Sequence, residues 1–184
     1  MSEHFRPTTI LLMLFALAAA IAFRPGAAVG QVVINEFMAV NQSTTTTLTG
    51  EFADWIELYN PSIATVALGG YYLSDDPTSP VKWRIPNGIS INPGTHLLIW
   101  ADDTQVVNPA DPLHASFRLS GEDGEYVALY APDGATTISF KQFGPQATDV
   151  SYGRVPDNSP LWFPFITSTP GGPNLSGAGI EPPA

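Results

Sequence analysis

Asp54-Trp55-Ile56-Glu57-Leu58-Tyr59-Asn60-Pro61 is the stretch that decides the fold. It gathers large aromatic, aliphatic and acidic residues into a short run and then stops at Asn-Pro. Proline has no N–H to give to a ladder, so the run reads as a strand with a hard end. Alternation sends Trp55, Glu57 and Tyr59 to one face and Ile56, Leu58 and Asn60 to the other. Neither face is plainly a solvent face. The strand is therefore expected at the centre of a sheet, covered on both sides.

The sequence on either side has the same grain. Val32 to Val40 alternates partly, with Val33, Asn35, Phe37 and Ala39 opposed to Val32, Ile34, Glu36 and Met38. Asn41 to Gly50 is a Thr-rich loop. Val66–Leu68, Tyr71–Ser74, Val81–Ile85, Thr95–Ala101, Ala115–Leu119, Tyr126–Tyr130, Thr136–Phe143 and Val150–Val155 are further short strands. Gly69-Gly70, Pro86-Asn87-Gly88, Asn92-Pro93-Gly94, Ser120 to Gly124 and Pro132-Asp133-Gly134 separate them. Asp-Gly between apolar runs is a hairpin signal. Trp162-Phe163-Pro164-Phe165 is an edge piece, because Pro164 is unsuited to a central position. From Thr169 the chain has few anchors and is expected as a coil tail. No amphipathic helix stands out after residue 30. About ten short strands with turns between them mean an all-β sandwich or a partly closed barrel.

Ile10 to Phe23 is almost wholly apolar, follows a polar segment with Arg6, and is broken by Pro25-Gly26. Ala28-Val29-Gly30 supplies small residues for cleavage. This is the layout of an N-terminal signal-peptide helix (1–30), cut after Gly30. A membrane span needs roughly 20 apolar residues, and this run is shorter. Removing Arg6, Arg24 and Glu3 from seven basic and seventeen acidic residues leaves a formal charge of −11. Such a surface repels nucleic acid and anionic lipid. The chain has no cysteine, so its core must hold it without disulfides. The expected organisation is a signal peptide over 1–30, one sandwich domain over 31–174 and a flexible tail over 175–184. The expected location is secreted or at the cell envelope.

Five motifs then stand in order: Val33-Ile34-Asn35-Glu36, the Asp54 strand through Asn60, Gly70 to Asp75, Ser151-Tyr152-Gly153-Arg154, and Thr169-Pro170-Gly171-Gly172-Pro173-Asn174. In this combination the chain resembles the lamin tail domain family in its bacterial secreted form, from Gln31 to Asn174. The resemblance implies an immunoglobulin-like β-sandwich that serves as an accessory module on exported proteins. It implies no catalytic residues. The chain has no coiled coil and no basic nuclear-targeting segment, so a nuclear role does not carry over.

The residues themselves bear on three chemistries. Thiol catalysis is excluded by the lack of cysteine, and no Gly-x-Ser-x-Gly elbow is present. A glycosidase-type pair needs two carboxyl groups roughly 5–10 Å apart in a cleft, and Glu36 and Glu57 could face one another. The expectation for them is structural instead: Arg154 pairs with Glu57 or Glu36 and fixes strand register, its planar guanidinium taking a carboxylate bidentately. The paired loop acids Asp75, Asp76, Asp102 and Asp103 are the candidate calcium ligands, set against solvated acids in turns. No cofactor is otherwise expected. Which of the Trp and Tyr residues form a binding platform is left open. The leading function is a secreted, non-catalytic module for protein interaction or for structural or adhesive roles at the cell envelope or outside the cell, with an envelope or extracellular protein or polysaccharide as partner. The alternatives are a calcium-dependent carbohydrate- or surface-binding domain and a hydrolase using a carboxylate pair.

Overall fold

The computed structural model describes residues 31–104 and 108–174. The expected signal segment 1–30 and the tail 175–184 lie outside them. Among the described residues there is no helix. The strands are β1 (Val33–Met38), β2 (Asp54–Tyr59), β3 (Val66–Ala67), β4 (Tyr72–Ser74), β5 (Trp83–Arg84), β6 (Ser90–Ile91), β7 (His96–Ala101), β8 (His114–Ala115), β9 (Glu125–Tyr130), β10 (Thr137–Phe143), β11 (Ser151–Arg154) and β12 (Trp162–Phe165).

They build an immunoglobulin-like β-sandwich. One sheet has the order β12-β11-β1-β2-β7-β8, the other β10-β9-β4-β5, and β3 pairs with β6 in a small ribbon. Ile34, Phe37, Ile56, Leu58 and Ile99 of the larger sheet close on Leu73, Val127, Leu129 and Phe143 of the smaller one. A buried hydrogen bond also crosses between sheets, from the Ile34 N–H to the Ser139 hydroxyl oxygen at 3.0 Å. At about 25 cal/mol per Å² of apolar area removed from water, this shared layer is the main stabilising term.

Strand β2 is central and covered on both faces, as its composition predicts. Ile56 and Leu58 enter the main core, while Trp55 joins Met38 and Trp100 in a second cluster on the other face. The partial alternation of β1 has a local cause. The register of β1 on β2 shifts between Ile34 and Glu36. This bulge at Asn35 lets Ile34 and Phe37 both reach the core while Glu36 lands opposite Glu57.

Other expectations are refined. The β9–β10 hairpin forms over Pro132-Asp133-Gly134. The strand read at Ala115–Leu119 shrinks to His114–Ala115, which pairs in parallel with β7, although Phe117 and Leu119 remain buried. Val81–Ile85 shrinks to Trp83–Arg84. Strand β6 is an addition, since Ser90-Ile91 is too short to show a period. The coil from Thr169 is coil, but it is anchored: Asn174 has no exposed surface.

Candidate functional site

The bulge brings two carboxyl groups together in the sheet interior, and the C-terminal coil closes over them. Glu36 and Glu57 are both fully buried. Glu57 accepts from the Asn35 amide at 3.3 Å and from the Gly171 N–H at 2.6 Å. Glu36 accepts from the Ser151 hydroxyl and from the Thr169 N–H at 3.1 Å. Asp157 completes the cluster. It accepts from the Asn35 amide and from the Asn174 N–H, both at 2.9 Å, and its other oxygen lies 3.2 Å from His96 Nε2. Tyr59 packs its ring on His96 with centroids 4.8 Å apart.

Burial dominates the electrostatics of this cluster. Burial, ahead of the bonds from Ser151 and Thr169, pushes the Glu36 carboxyl up. Burial and then the Glu36 charge push Glu57 up to about 8. The Thr169 hydroxyl lies 2.6 Å from Glu36 Oε2 and 2.7 Å from Asn174 Oδ1. It has one proton for two acceptors. The raised pKa of Glu36 favours its protonated form, which is able to supply the missing donor. The pair is a buried structural element, sealed by Ser151, Thr169 and Gly171 rather than open to a substrate.

Strand β11 explains the rest. Gly153 stands directly opposite Glu36. A Cβ there would lie 2.7 Å from Asn174 Nδ2, 2.9 Å from the Phe165 ring and 3.1 Å from Glu36 Cγ. Alternation places Ser151 and Gly153 on the glutamate face and Tyr152 and Arg154 on the other. The expected ion pair of Arg154 with Glu36 or Glu57 is therefore replaced. Arg154 donates from Nε to the Ile34 carbonyl at 2.7 Å and from Nη1 to the Ser159 carbonyl at 2.5 Å, and it lies over the Trp162 ring. It ties β1, β11 and the following turn together through carbonyls, not carboxylates.

The loop acids are held separately. Asp75 takes the Lys82 ammonium at 2.5 and 2.7 Å. Asp76 turns its own loop, accepting from the Thr78 N–H at 2.8 Å and hydroxyl at 2.7 Å, which lowers its pKa. Asp102 lies 2.6 Å from His114 Nδ1, and Asp111 lies 3.1 Å from its Nε2. Burial alone would lower the His114 imidazole, but the two carboxylates outweigh it and raise its pKa. Asp103 adopts a left-handed φ of 58°. Among the described residues no three His, Asp or Glu side chains meet in a group that could hold a metal ion. Asp102 does border a cavity of about 520 Å³ with Glu51, Asp54 and Arg118. Burial pushes Asp54 there up to about 6, against the bond it accepts from the Asn41 N–H.

Residues 25–144, well over half of the chain, match the model of the Lamin Tail Domain family. The chain belongs to the lamin tail domain family. None of the curated proteins matches it. In this lamin tail domain four of the five sequence motifs converge on one place. Asn35 and Glu36 come from the first, Glu57 from the second, Ser151 and Gly153 from the fourth, and Thr169, Gly171 and Asn174 from the last. The family is one of immunoglobulin-like interaction modules that are in general not enzymes.

Reading the residues one by one misses Asp157, His96, Ser151, Thr169 and Asn174. The signal that could find them is the pair of motifs after residue 150. Their Ser, Gly, Thr and Asn residues are small and polar, suited to filling space around a carboxyl group rather than to chemistry of their own.

Proposed function

We propose that this lamin tail domain is an exported, non-catalytic module that binds an envelope or extracellular protein. The observation that carries the reading is the clamp on Glu36 and Glu57. The carboxylate pair best placed for acid–base work is occupied by the chain's own donors and shut from solvent. The apolar run Ile10–Phe23 and the small residues before Gln31 support export, and the acidic surface disfavours nucleic acid as a partner.

Mass spectrometry of the product of the full chain in a bacterial host tests the export half. A secreted or periplasmic species beginning at Gln31 is expected, and an uncleaved cytoplasmic product overturns it. The binding half is tested by capture of partners from envelope and secreted fractions, with calcium and with chelator. One partner retained in both conditions is the expected result. Capture only with calcium would overturn metal-free binding and bring Asp75, Asp76, Asp102 and Asp103 back as ligands.

A further inference from the structure

Among the described residues strand β10 is an edge of the four-stranded sheet, paired with β9 alone. An edge presents a row of free N–H and C=O groups, and other chains can pair with it. The two sides of β10 differ in chemistry. Lys141 stands opposite Val127, a core residue, so its side chain points to the flank between the two sheets. There its ammonium lies 5.2 Å from the centroids of both Tyr152 and Trp162, whose rings stack on each other. Arg154 covers Trp162 as well, 4.7 Å away. Two of the chain's seven cations thus share one aromatic pair, and among the described residues neither forms an ion pair with a carboxylate. Burial, and after it the Arg154 charge, hold the Lys141 pKa below its ordinary value. A cavity of about 420 Å³ opens beside it, bounded by Gln142, Gly144, Gln146, Tyr152 and Pro164. On the other side of β10, Phe140 is 57% exposed and stacks on Tyr126.

We propose that the free edge of β10 takes an extended acidic peptide as an added strand. Carboxylates on its inner side meet Lys141 at the cavity, and apolar side chains on its outer side cover Phe140. The proposal rests on the reading of this domain as an interaction module and names the chemistry of one partner. In strand addition the main-chain bonds give affinity and alternate side chains give specificity. Period-two alternation makes the preferred peptide acid, apolar, acid, apolar. Lys141 also discriminates between incoming strands. An incoming strand with an apolar residue at that position buries an ammonium without a counter-ion, whereas a carboxylate satisfies it. The charge match is local. Screening over about 8 Å at physiological salt separates Lys141 and Arg154 from the acidic bulk of the surface.

The test is fluorescence anisotropy of the full chain with a labelled peptide alternating Glu and Val. The controls are a matched Lys/Val peptide and the Glu/Val peptide N-methylated on alternate amides, in both frames. The Glu peptide is expected to bind at least about tenfold tighter than the Lys peptide, the size of one charge-assisted contact. One N-methylated frame should abolish binding. Lys141→Met should erase the preference without moving the melting temperature, and Lys141→Arg should keep it. Equal binding of the two peptides, binding that survives N-methylation in both frames, or no binding overturns the proposal. So does an oligouronate that occupies the Lys141 site when the peptide does not. A natural partner that is captured equally well by Lys141→Met also sinks it, yet leaves the broader function standing.

Discussion

The acids on the strands and the acids in the turns are the same side chains put to opposite uses. Glu36 and Glu57 lie inside the sheet, and burial raises their pKa values, Glu57 to about 8. Asp76, Asp133 and Asp149 lie on the surface, and N–H and hydroxyl donors from their own or a neighbouring loop lower theirs, Asp133 to about 2. Desolvation governs the first group and hydrogen bonds to the charged form govern the second. An acid-rich composition therefore says nothing by itself about how the chain responds to pH. The response depends on which side of the sheet surface each acid occupies.

The largest effect is expected where the strand group is sealed. Gly153→Val drives a side chain into Asn174, Phe165 and Glu36, and should cost about 2–4 kcal/mol in denaturant unfolding at neutral pH. A variant as stable as the parent would mean that the C-terminal coil does not close on the glutamates. Next comes the pH slope. A carboxyl raised in the folded state binds more protons there than in the unfolded chain. Its burial costs nothing below the ordinary value of 4.5, and the cost grows as pH rises from there to about 8. The parent should lose stability over that window, Glu57 contributing a slope of up to roughly 1.4 kcal/mol per pH unit beside the shares of Glu36 and Asp54, and Glu57→Gln should remove the Glu57 share. A slope that is the same in both proteins would remove Glu57 from the account.

A smaller change is expected from Thr169→Val, which keeps the shape but removes the hydroxyl shared by Glu36 and Asn174. The loss should be on the order of 1 kcal/mol by thermal or chemical unfolding. The smallest is expected in the turn group. Asp133 accepts from the N–H groups of Ala135 and Thr136 and from the Thr136 hydroxyl on an exposed hairpin loop. Its lowered pKa adds stability that is present above 3.8 and is lost as pH falls through about 2. Asp133→Asn should leave the neutral melting temperature nearly unchanged and should remove only part of the acid-side loss. A large neutral-pH effect would contradict the division between the two groups.

Much of the sandwich is legible in the sequence because its signals are local. The run from Asp54 to Pro61 states a central strand through its two covered faces, and Pro132-Asp133-Gly134 states a hairpin through its turn chemistry. What is not legible depends on partners far along the chain. Ser90-Ile91 has no period of its own and becomes a strand only because Val66-Ala67 lies beside it. Charge alone suits Arg154 to the glutamates, but the face it occupies is set by strand alternation relative to Gly153, which meets Glu36. The bulge at Asn35, which decides where Glu36 points, leaves only a broken alternation in the sequence. The Thr169–Asn174 coil shows few anchors in its own sequence because, apart from Asp157, they are 114 to 139 residues away.

Strand β1 lies between β2, which follows it closely, and β11, which is among the last to be made. The N-terminal half of the chain cannot be completed by anything nearby in sequence. A polypeptide emerging from a ribosome or threading a translocation pore, amino end first, would carry its two glutamates unsheathed until Ser151, Gly153 and Thr169 had followed. Contacts of such long separation form slowly. The sheath around the two glutamates is thus completed only by residues from Ser151 onward, the last-made part of the sandwich.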